Sequence, residues 1–576
     1  MRPKFLWISV REQDRLDAVT AKVHAILPER KNIGHDVIFL SPGAPWIDCP
    51  AIEGGIVGRL YTRDGRHRVT GISSVEQLTI MSTEGASLIG QRSGAYVAFW
   101  RAAGEGGAIA LRDPSACLPG YHVIEDDFAA VASDIDCLVE AGLLELTPEP
   151  AGVAQYLAYP ATPSGLTSLA GVGELRPGAS TGLARQGSDS FVWRPECFPP
   201  KGRADPSTLA GAVDAVLAGL CAQWSAPAIE LSGGLDSSIV AAACPEGAGA
   251  VALHMVPEAP DADERRYARL VTDRFGMPLH EVPIAYDDVS LLLPPARLTA
   301  RPTNVAVYRT MDHKLRAARI ATDADIVLSG AGGDSVFGTL NSTGLVIDAW
   351  RDGGIALARS TIIKLAEVAE VSRWNVARHL TSRLARAAAS SWTWPSDYSL
   401  LGPAGRAAPV PDARLVAGLS PGRRAYVASL LRMQTILDAH DRVGADDMQF
   451  PLMAQPVLEA CLAVPAWQWI EDGRDRGVAR RAYASRLPAA IIDRRGKGRY
   501  DTLQIRAYER ARAAIREPLL NGWLADNGLI DRAAVAKEMD RPVTAISSLY
   551  DRVMRLWDAE SWCQMILGRQ RVSGPG

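Results

Sequence analysis

The run Leu231-Ser232-Gly233-Gly234-Leu235-Asp236-Ser237-Ser238 follows a short apolar stretch (227–231) and precedes a helix-like one (237–244). A strand, a Ser/Gly turn and a helix start, in that order, form an anion site. The glycines let the backbone approach phosphate oxygens, the N–H groups of the first helical turn point at them, and the helix dipole adds partial positive charge. The string is not the G-x-x-x-x-G-K-[ST] loop. Further along, Asp325-Ile326-Val327-Leu328-Ser329-Gly330-Ala331-Gly332-Gly333-Asp334-Ser335-Val336-Phe337-Gly338 again ends an apolar strand in a Gly-rich turn that carries an acid. At the carboxyl ends of parallel strands, where open α/β sheets place ligands, Asp236 and Asp334 are a metal pair that can hold Mg2+ against phosphate oxygens. The metal would offset negative charge on those oxygens. A third signal is Arg494-Arg495-Gly496-Lys497-Gly498-Arg499-Tyr500, where glycines flank a lysine as in a loop that closes over bound nucleotide. Asp438, His440 and Asp441 are candidates for base or substrate contact, the alternative being a charged helix surface.

Strands alternating with helices must position these residues. An amphipathic helix is predicted over 206–224, a strand over 250–256 and a helix over 263–275, which implies an α/β layer with a parallel sheet. From about residue 355 the chain is helix-rich. Residues 1 to about 195 read instead as mostly β, with runs 36–40, 94–101 and 108–112 separated by Gly, Pro and Asp turns. The Pro-, Gly- and Ser-rich span 160–205 leads to an expected boundary near Pro199-Pro200, dividing the chain into 1–199 and 200–576.

The whole chain sets wider bounds. Its 576 residues are too many for one core. Hydrophobic content of 47% and charged content of 22% fit an ordinary soluble protein, and a net charge of −3 argues against a broad nucleic-acid face. The 8 cysteines are scattered with no C-x-x-C pair, which suits a reducing cytoplasm rather than a zinc site or disulfide framework. Arg11, Asp14 and Arg15 interrupt the N-terminal segment, so no signal peptide is expected. No uninterrupted apolar stretch of about 18 residues suggests membrane insertion.

The first string resembles the pyrophosphate loop of ATP pyrophosphatases, in particular the asparagine synthetase branch. The second resembles that branch's S-G-E-G-x-D-E-x-F-G segment. Val57-Gly58-Arg59-Leu60-Tyr61-Thr62-Arg63-Asp64-Gly65, Ser93-Gly94-Ala95-Tyr96-Val97-Ala98-Phe99-Trp100, Leu111-Arg112-Asp113-Pro114 and Leu175-Arg176-Pro177-Gly178 resemble, in order, segments of its glutaminase domain. The resemblance implies an α/β two-domain fold. A degenerate N-terminal-nucleophile, glutaminase-like β-sandwich precedes an ATP-pyrophosphatase-type parallel α/β synthetase domain with a helical C-terminal part. It also implies ATP and Mg2+ as cofactors. Leu231, Ser232, Gly233, Gly234, Leu235, Asp236, Ser237, Ser238, Met255, Ser329, Gly330, Gly332 and Gly333 would hold the nucleotide, and Lys497 would stabilise charge on the α-phosphate or acyl intermediate. The glutaminase reaction needs a cysteine after the initiator Met; Arg2 stands there, so that reaction is not expected. In the charged segment Asp263-Glu264-Arg265-Arg266-Tyr267-Ala268, similar to the start of the second synthetase helix, a solvated face is expected.

Ala331 stands where the branch has Glu, and Ser335 replaces a second acid. The form G-A-G-G-D is more similar to lasso-peptide cyclases. That family's motif order continues through Phe450-Pro451-Leu452 to Leu556-Trp557-Asp558 and Trp562. The resemblance implies adenylation of an Asp or Glu side chain of a core peptide, then attack by the peptide's own N-terminal amine. The implied partners are the precursor peptide, a leader peptidase and a leader-recognition protein. Three other readings stay open: an ammonia-dependent asparagine synthetase, a β-lactam synthetase-like small-ring cyclase, and a non-catalytic scaffold that binds peptide or nucleotide.

Overall fold

The computed structural model describes residues 3–10, 12–102, 107–160, 162–184, 188–200, 202–295, 297–303, 306–389, 392–437, 448–496, 501–543 and 549–573. The alternating runs of the N-terminal half pair antiparallel into two sheets. One is ordered Gly173–Glu174, Tyr121–Ile124, Phe128–Ala132, Phe5–Val10, Asp36–Leu40, Glu29–Ile33. The other is ordered Asp189–Phe191, Ala179–Gly182, Ala108–Arg112, Arg92–Arg101, Gly54–Thr62, Trp46–Cys49, with Arg68–Val69 paired off its path. Trp7 of the first sheet stacks on Phe99 of the second, ring centroids 5.5 Å apart and 9° from parallel. Residues of period two on each inner face therefore meet in one apolar layer, the mark of a sandwich.

The second unit opens with helix α1 (Pro206–Cys221) and continues as β1 (Pro227–Glu230), α2 (Leu235–Ala243), β2 (Val251–Pro257), α3 (Arg265–Phe275), β3 (Leu279–Ile284), α4 (Ala306–Ala321) and β4 (Ile326–Ser329). A last short strand, β5 (Met448–Gln449), joins the edge. All five strands are parallel, in the order β3-β2-β1-β4-β5. Helices cover both faces, so β1 and β4 carry almost unbroken apolar sequence. After β1 the chain builds outward to β3, then crosses back to place β4 on the other side of β1. That reversal opens a crevice at the strands' carboxyl ends. The register pairs Glu230 with Ser329, so the turns after β1 and β4 leave the sheet side by side.

Several boundaries differ from the sequence reading. Helix α2 begins at Leu235 rather than 237, because Gly234 adopts the extended cap conformation (φ −78°, ψ 166°) and Asp236 falls inside the first turn. Helix α3 begins at Arg265, and Glu264 is its cap. The helical region starts before 355, with α5 (Gly344–Val368) broken at Gly353 and Gly354 (φ 67°). Later come α6 (Pro421–Leu437), α7 (Gly477–Tyr483) and the C-terminal α8 (Leu549–Ser573). Helix α8 returns to both units: Trp562 Nε1 donates to Thr299 O at 3.1 Å, and Arg552 Nη1 to Leu157 O at 2.8 Å. Among the described residues no helix is long and apolar enough to cross a membrane.

Candidate active site

The turn after β1 is tied to the helix it starts. Ser232 N donates to Ser237 Oγ at 3.2 Å, the two hydroxyls lie 3.1 Å apart, and Gly234 N donates to Ser232 Oγ at 3.3 Å. Ser238 Oγ donates to Gly234 O at 2.7 Å. Gly233 has φ +76°, and a Cβ there would lie 2.7 Å from Tyr267 Cβ, so the turn needs glycine for both conformation and space.

The turn after β4 is pressed against this helix start. A Cβ on Gly330 would lie 2.7 Å from Ser237 N, and one on Gly333 would lie 2.5 Å from both Cβ and Cγ of Asp236. Ser329 Oγ donates to Glu230 Oε2 at 2.6 Å and accepts from Ala331 N at 3.2 Å. Between the turns is a cavity of 190 Å3. Leu231, Ser232, Gly234, Asp236, Ser237, Met255, Ser329, Gly330 and Gly332 line it, with Asp334. Gly233, Leu235, Ser238 and Gly333 are buried and do not line it. Glu230, Leu253 and Ala331 also line the cavity. Glu230 sits immediately before the first motif, and the Ser329 hydrogen bond is what brings it in.

The two acids meet on one cation. Arg476 Nη1 donates to Asp236 Oδ1 at 3.1 Å and Oδ2 at 3.0 Å, and to Asp334 Oδ1 at 2.7 Å. Its Nε donates to Asp475 Oδ1 at 3.3 Å. Burial alone would push this guanidinium down, but Asp236, Asp475 and Asp334 outweigh it and hold Arg476 above its ordinary value. Arg476 caps α7 in the left-handed region (φ 57°, ψ 30°), a conformation costing about 1–3 kcal/mol at a non-glycine residue. The contacts to three acids offset that cost. Asp236 is 7% exposed and Asp334 53%, so the pair spans from the interior to the mouth of the cavity. Hard carboxylate oxygens converging on one cation position, beside a turn built for phosphate, fit Mg2+. Among the described residues no three His, Cys, Asp or Glu side chains are placed to hold a metal ion together, so phosphate and water oxygens would complete its shell. The sequence reading missed Arg476: it sits in an Asp-Gly turn with no spacing relation to either motif.

Arg494 fastens the third motif to the first. Its Nη1 donates to Gly233 O at 3.0 Å, its Nη2 pairs with Glu264 Oε1, and its guanidinium lies 3.9 Å over the Tyr267 ring. Glu264 is therefore buried, at 5% exposure, and does not belong to the solvated face expected of that segment; the cation that neutralises it comes from far along the chain. Lys497, and Asp438, His440 and Asp441, lie outside the described residues. Ser335 receives a hydrogen bond from Ser429 Oγ at 3.0 Å. In the sandwich, burial, then Asp48 and Glu76, push the Cys49 thiol up to about 12, which leaves it inert as a nucleophile at neutral pH.

A comparison with known protein families agrees with this architecture. The asparagine synthase family model matches residues 223–566, well over half of the chain. Among solved structures, the glutamine phosphoribosylpyrophosphate amidotransferase from B. subtilis, complexed with ADP and GMP, is similar at 11% identity and a TM-score of 0.21. That match covers 48% of this chain and 65% of the amidotransferase, so the chain spans just under two thirds of its length. No protein of curated function matches. With both Gly-rich turns, the paired acids and the parallel sheet inside the matched span, the chain belongs to the asparagine synthase family, whose members form amide bonds with ATP and Mg2+.

Proposed function

We propose that this chain is an ATP-dependent, AMP-forming cyclase that closes a macrolactam (isopeptide) ring in a lasso peptide. The observation that carries the choice of substrate is Ala331. It lines the nucleotide cavity where a family member acting on free aspartate has an acid, and its methyl group offers no charge to hold a small amino acid's ammonium. A peptide brings its own binding surface and needs no such anchor.

In this reading the N–H groups at the start of α2 cradle the triphosphate, and Asp236 and Asp334 face its β- and γ-oxygens. Mg2+, when bound there, would neutralise charge on the leaving pyrophosphate. Arg476 supplies a fixed positive charge beside both acids. A peptide carboxylate oxygen attacks the α-phosphorus, the α–β phosphoanhydride bond breaks, and pyrophosphate leaves. The N-terminal amine then attacks the acyl carbon, the carbon–oxygen bond to AMP breaks, and the amine proton passes to a base. Holding amine and acyl carbon in one site replaces a bimolecular encounter. We assign Lys497 to the developing charge on the adenylate, and the base to Asp438, His440 or Asp441. The precursor peptide, its leader peptidase and a leader-recognition protein are the proposed partners.

Mass spectrometry of a leaderless core peptide incubated with the protein and Mg-ATP tests this, with nucleotides read in the same tube. Loss of one water from the peptide with AMP formed is the expected result. An unchanged peptide, with AMP formed only when aspartate and ammonia are supplied, would return the chain to asparagine synthesis.

A further inference from the structure

A second and larger cleft, of 780 Å3, lies away from the nucleotide cavity, between α5, the residues before α6, and the segment 465–471. Its lining carries five cations, Arg203, Arg351, Lys364, Arg423 and Arg481, against three acids, Asp348, Asp352 and Glu471. Two of the cations are engaged: Arg423 donates to the carbonyls of Leu462, Pro195 and Phe198, and Arg481 pairs with Glu471. Among the described residues the side chains of Arg203, Arg351 and Lys364 make no hydrogen bond or ion pair. The acids keep their charge but form no ion pair with these three cations. Asp352 accepts from Trp467 Nε1 at 2.7 Å, and Asp348 Oδ2 accepts from Ser420 Oγ at 2.6 Å and Arg423 N at 2.8 Å. Asp348 is 7% exposed, yet its other oxygen, Oδ1, is buried with no partner.

This lining asks two things of a ligand: anionic groups for Arg203, Arg351 and Lys364, and N–H donors for the exposed carboxylate of Asp352. A phosphate or nucleotide supplies the first but brings concentrated negative charge, without a backbone N–H, against three carboxylates. A peptide with acidic side chains supplies both, the donor from its backbone, and the volume falls within the roughly 300–1,000 Å3 of ligand pockets. The cleft is coupled to the catalytic centre by a short path. Its floor at Ile470 and Glu471 enters a turn closed by reciprocal bonds of 2.9 Å between Glu471 and Arg474, and the chain then delivers Arg476 to Asp236 and Asp334. Helix α7 carries Arg476 at its cap and Arg481 on the cleft.

We infer that this cleft binds a carboxylate-bearing peptide segment through Arg203, Arg351, Lys364 and Asp352. That the segment is the non-reacting part of the substrate peptide rests on the cyclase reading; the binding itself does not.

The test uses the full chain and a fluorescent, glutamate-rich peptide blocked at both ends, which cannot be adenylated into a ring, beside its glutamine counterpart. Fluorescence anisotropy is expected to show the glutamate peptide binding more tightly than the glutamine one, with affinity falling as salt rises. The double variant Arg351→Glu/Lys364→Glu is expected to bind it about tenfold or more weakly while binding Mg-ATP as before. If that variant also loses Mg-ATP, the milder Lys364→Gln decides by the same comparison. Equal affinity for the two peptides, no binding by the parent chain, or unchanged binding after charge reversal would each overturn the inference. Acidic-peptide binding without ring closure would leave the cleft standing and remove the cyclase reading; ring closure without such binding would do the reverse.

Discussion

Arg476 Nη1 lies 3.1 and 3.0 Å from the two carboxylate oxygens of Asp236, and through this contact α7 is fastened to the start of α2. The same nitrogen holds Asp334, so one side chain sets the spacing of both acids. Any divalent cation held by the pair must share or compete for that position.

Removing the arginine exposes this competition. Arg476→Ala leaves Asp236 buried without its cation, a loss of about 3 kcal/mol or more by analogy with broken buried pairs. Mg2+ should restore part of it. The expected outcome is a lower melting temperature than the parent chain without Mg2+, and a larger rise on adding Mg2+. Equal Mg2+ shifts in both proteins would argue against a shared cation position.

The packing of the two turns makes a second expectation sharp. In Gly333→Ala the new methyl would meet Asp236 Cβ and Cγ at 2.5 Å, so the acid must move. Overpacking of this kind costs about 1–3 kcal/mol, and here it acts on a carboxylate proposed to hold Mg2+. ATP–pyrophosphate exchange should fall by about tenfold or more, the rate equivalent of that energy. Gly211→Ala, on α1, is the control, because its Cβ would meet nothing within 4 Å. Equal exchange rates in the two variants would refute the role given to the Gly333 contact.

Arg494→Ala should raise the KM for ATP, since it frees the Gly233 carbonyl and leaves Glu264 buried and unpaired. Arg494→Lys should not rescue it. A lysine cannot bond a carbonyl and a carboxylate through separate nitrogens while lying flat over Tyr267. Steady-state kinetics on the two variants checks this, and full rescue by lysine would reduce Arg494 to a bare charge.

Both glycine-rich turns and their acids were legible in the sequence because their chemistry is local: a strand end, a turn and a helix start occupy consecutive residues. The parallel sheet was legible from alternation. Arg476 and the burial of Glu264 were not, because each depends on a partner distant along the chain: Asp236 and Asp334 for one, Arg494 for the other. The start of α2 was misplaced for a subtler reason. Gly234 makes a poor helix residue but an adequate cap, and the backbone used it as one.

Acid stability should be governed in part by Glu174, which joins the sandwich to the second unit. Its Oε1 accepts from Arg112 Nη1 at 2.8 Å and its Oε2 from Arg301 Nη2 at 2.5 Å. Burial pushes this carboxyl up, but Arg301 and Arg112 outweigh it and hold it at about 2, against 4.5 for the free group. A depressed carboxyl contributes stability that is fully present above pH 4.5 and is lost as pH falls toward 2. The difference corresponds to about 3 kcal/mol. Asp113 acts in another window and with the opposite sign. Burial, against the bonds from Ser115, pushes it from 3.8 up to about 6, so its contribution declines as pH rises between those values and is constant below them. Glu174→Gln should therefore unfold more easily at neutral pH, because Arg112 is left buried beside a neutral group. It should also show a shallower loss of stability between pH 4.5 and 2 than the parent chain, while the change between pH 4 and 6 persists. Denaturant titrations across that range separate the two carboxyls. Parallel curves for parent and variant below pH 4.5 would show that the Arg112–Glu174–Arg301 triad does not set the acid limit.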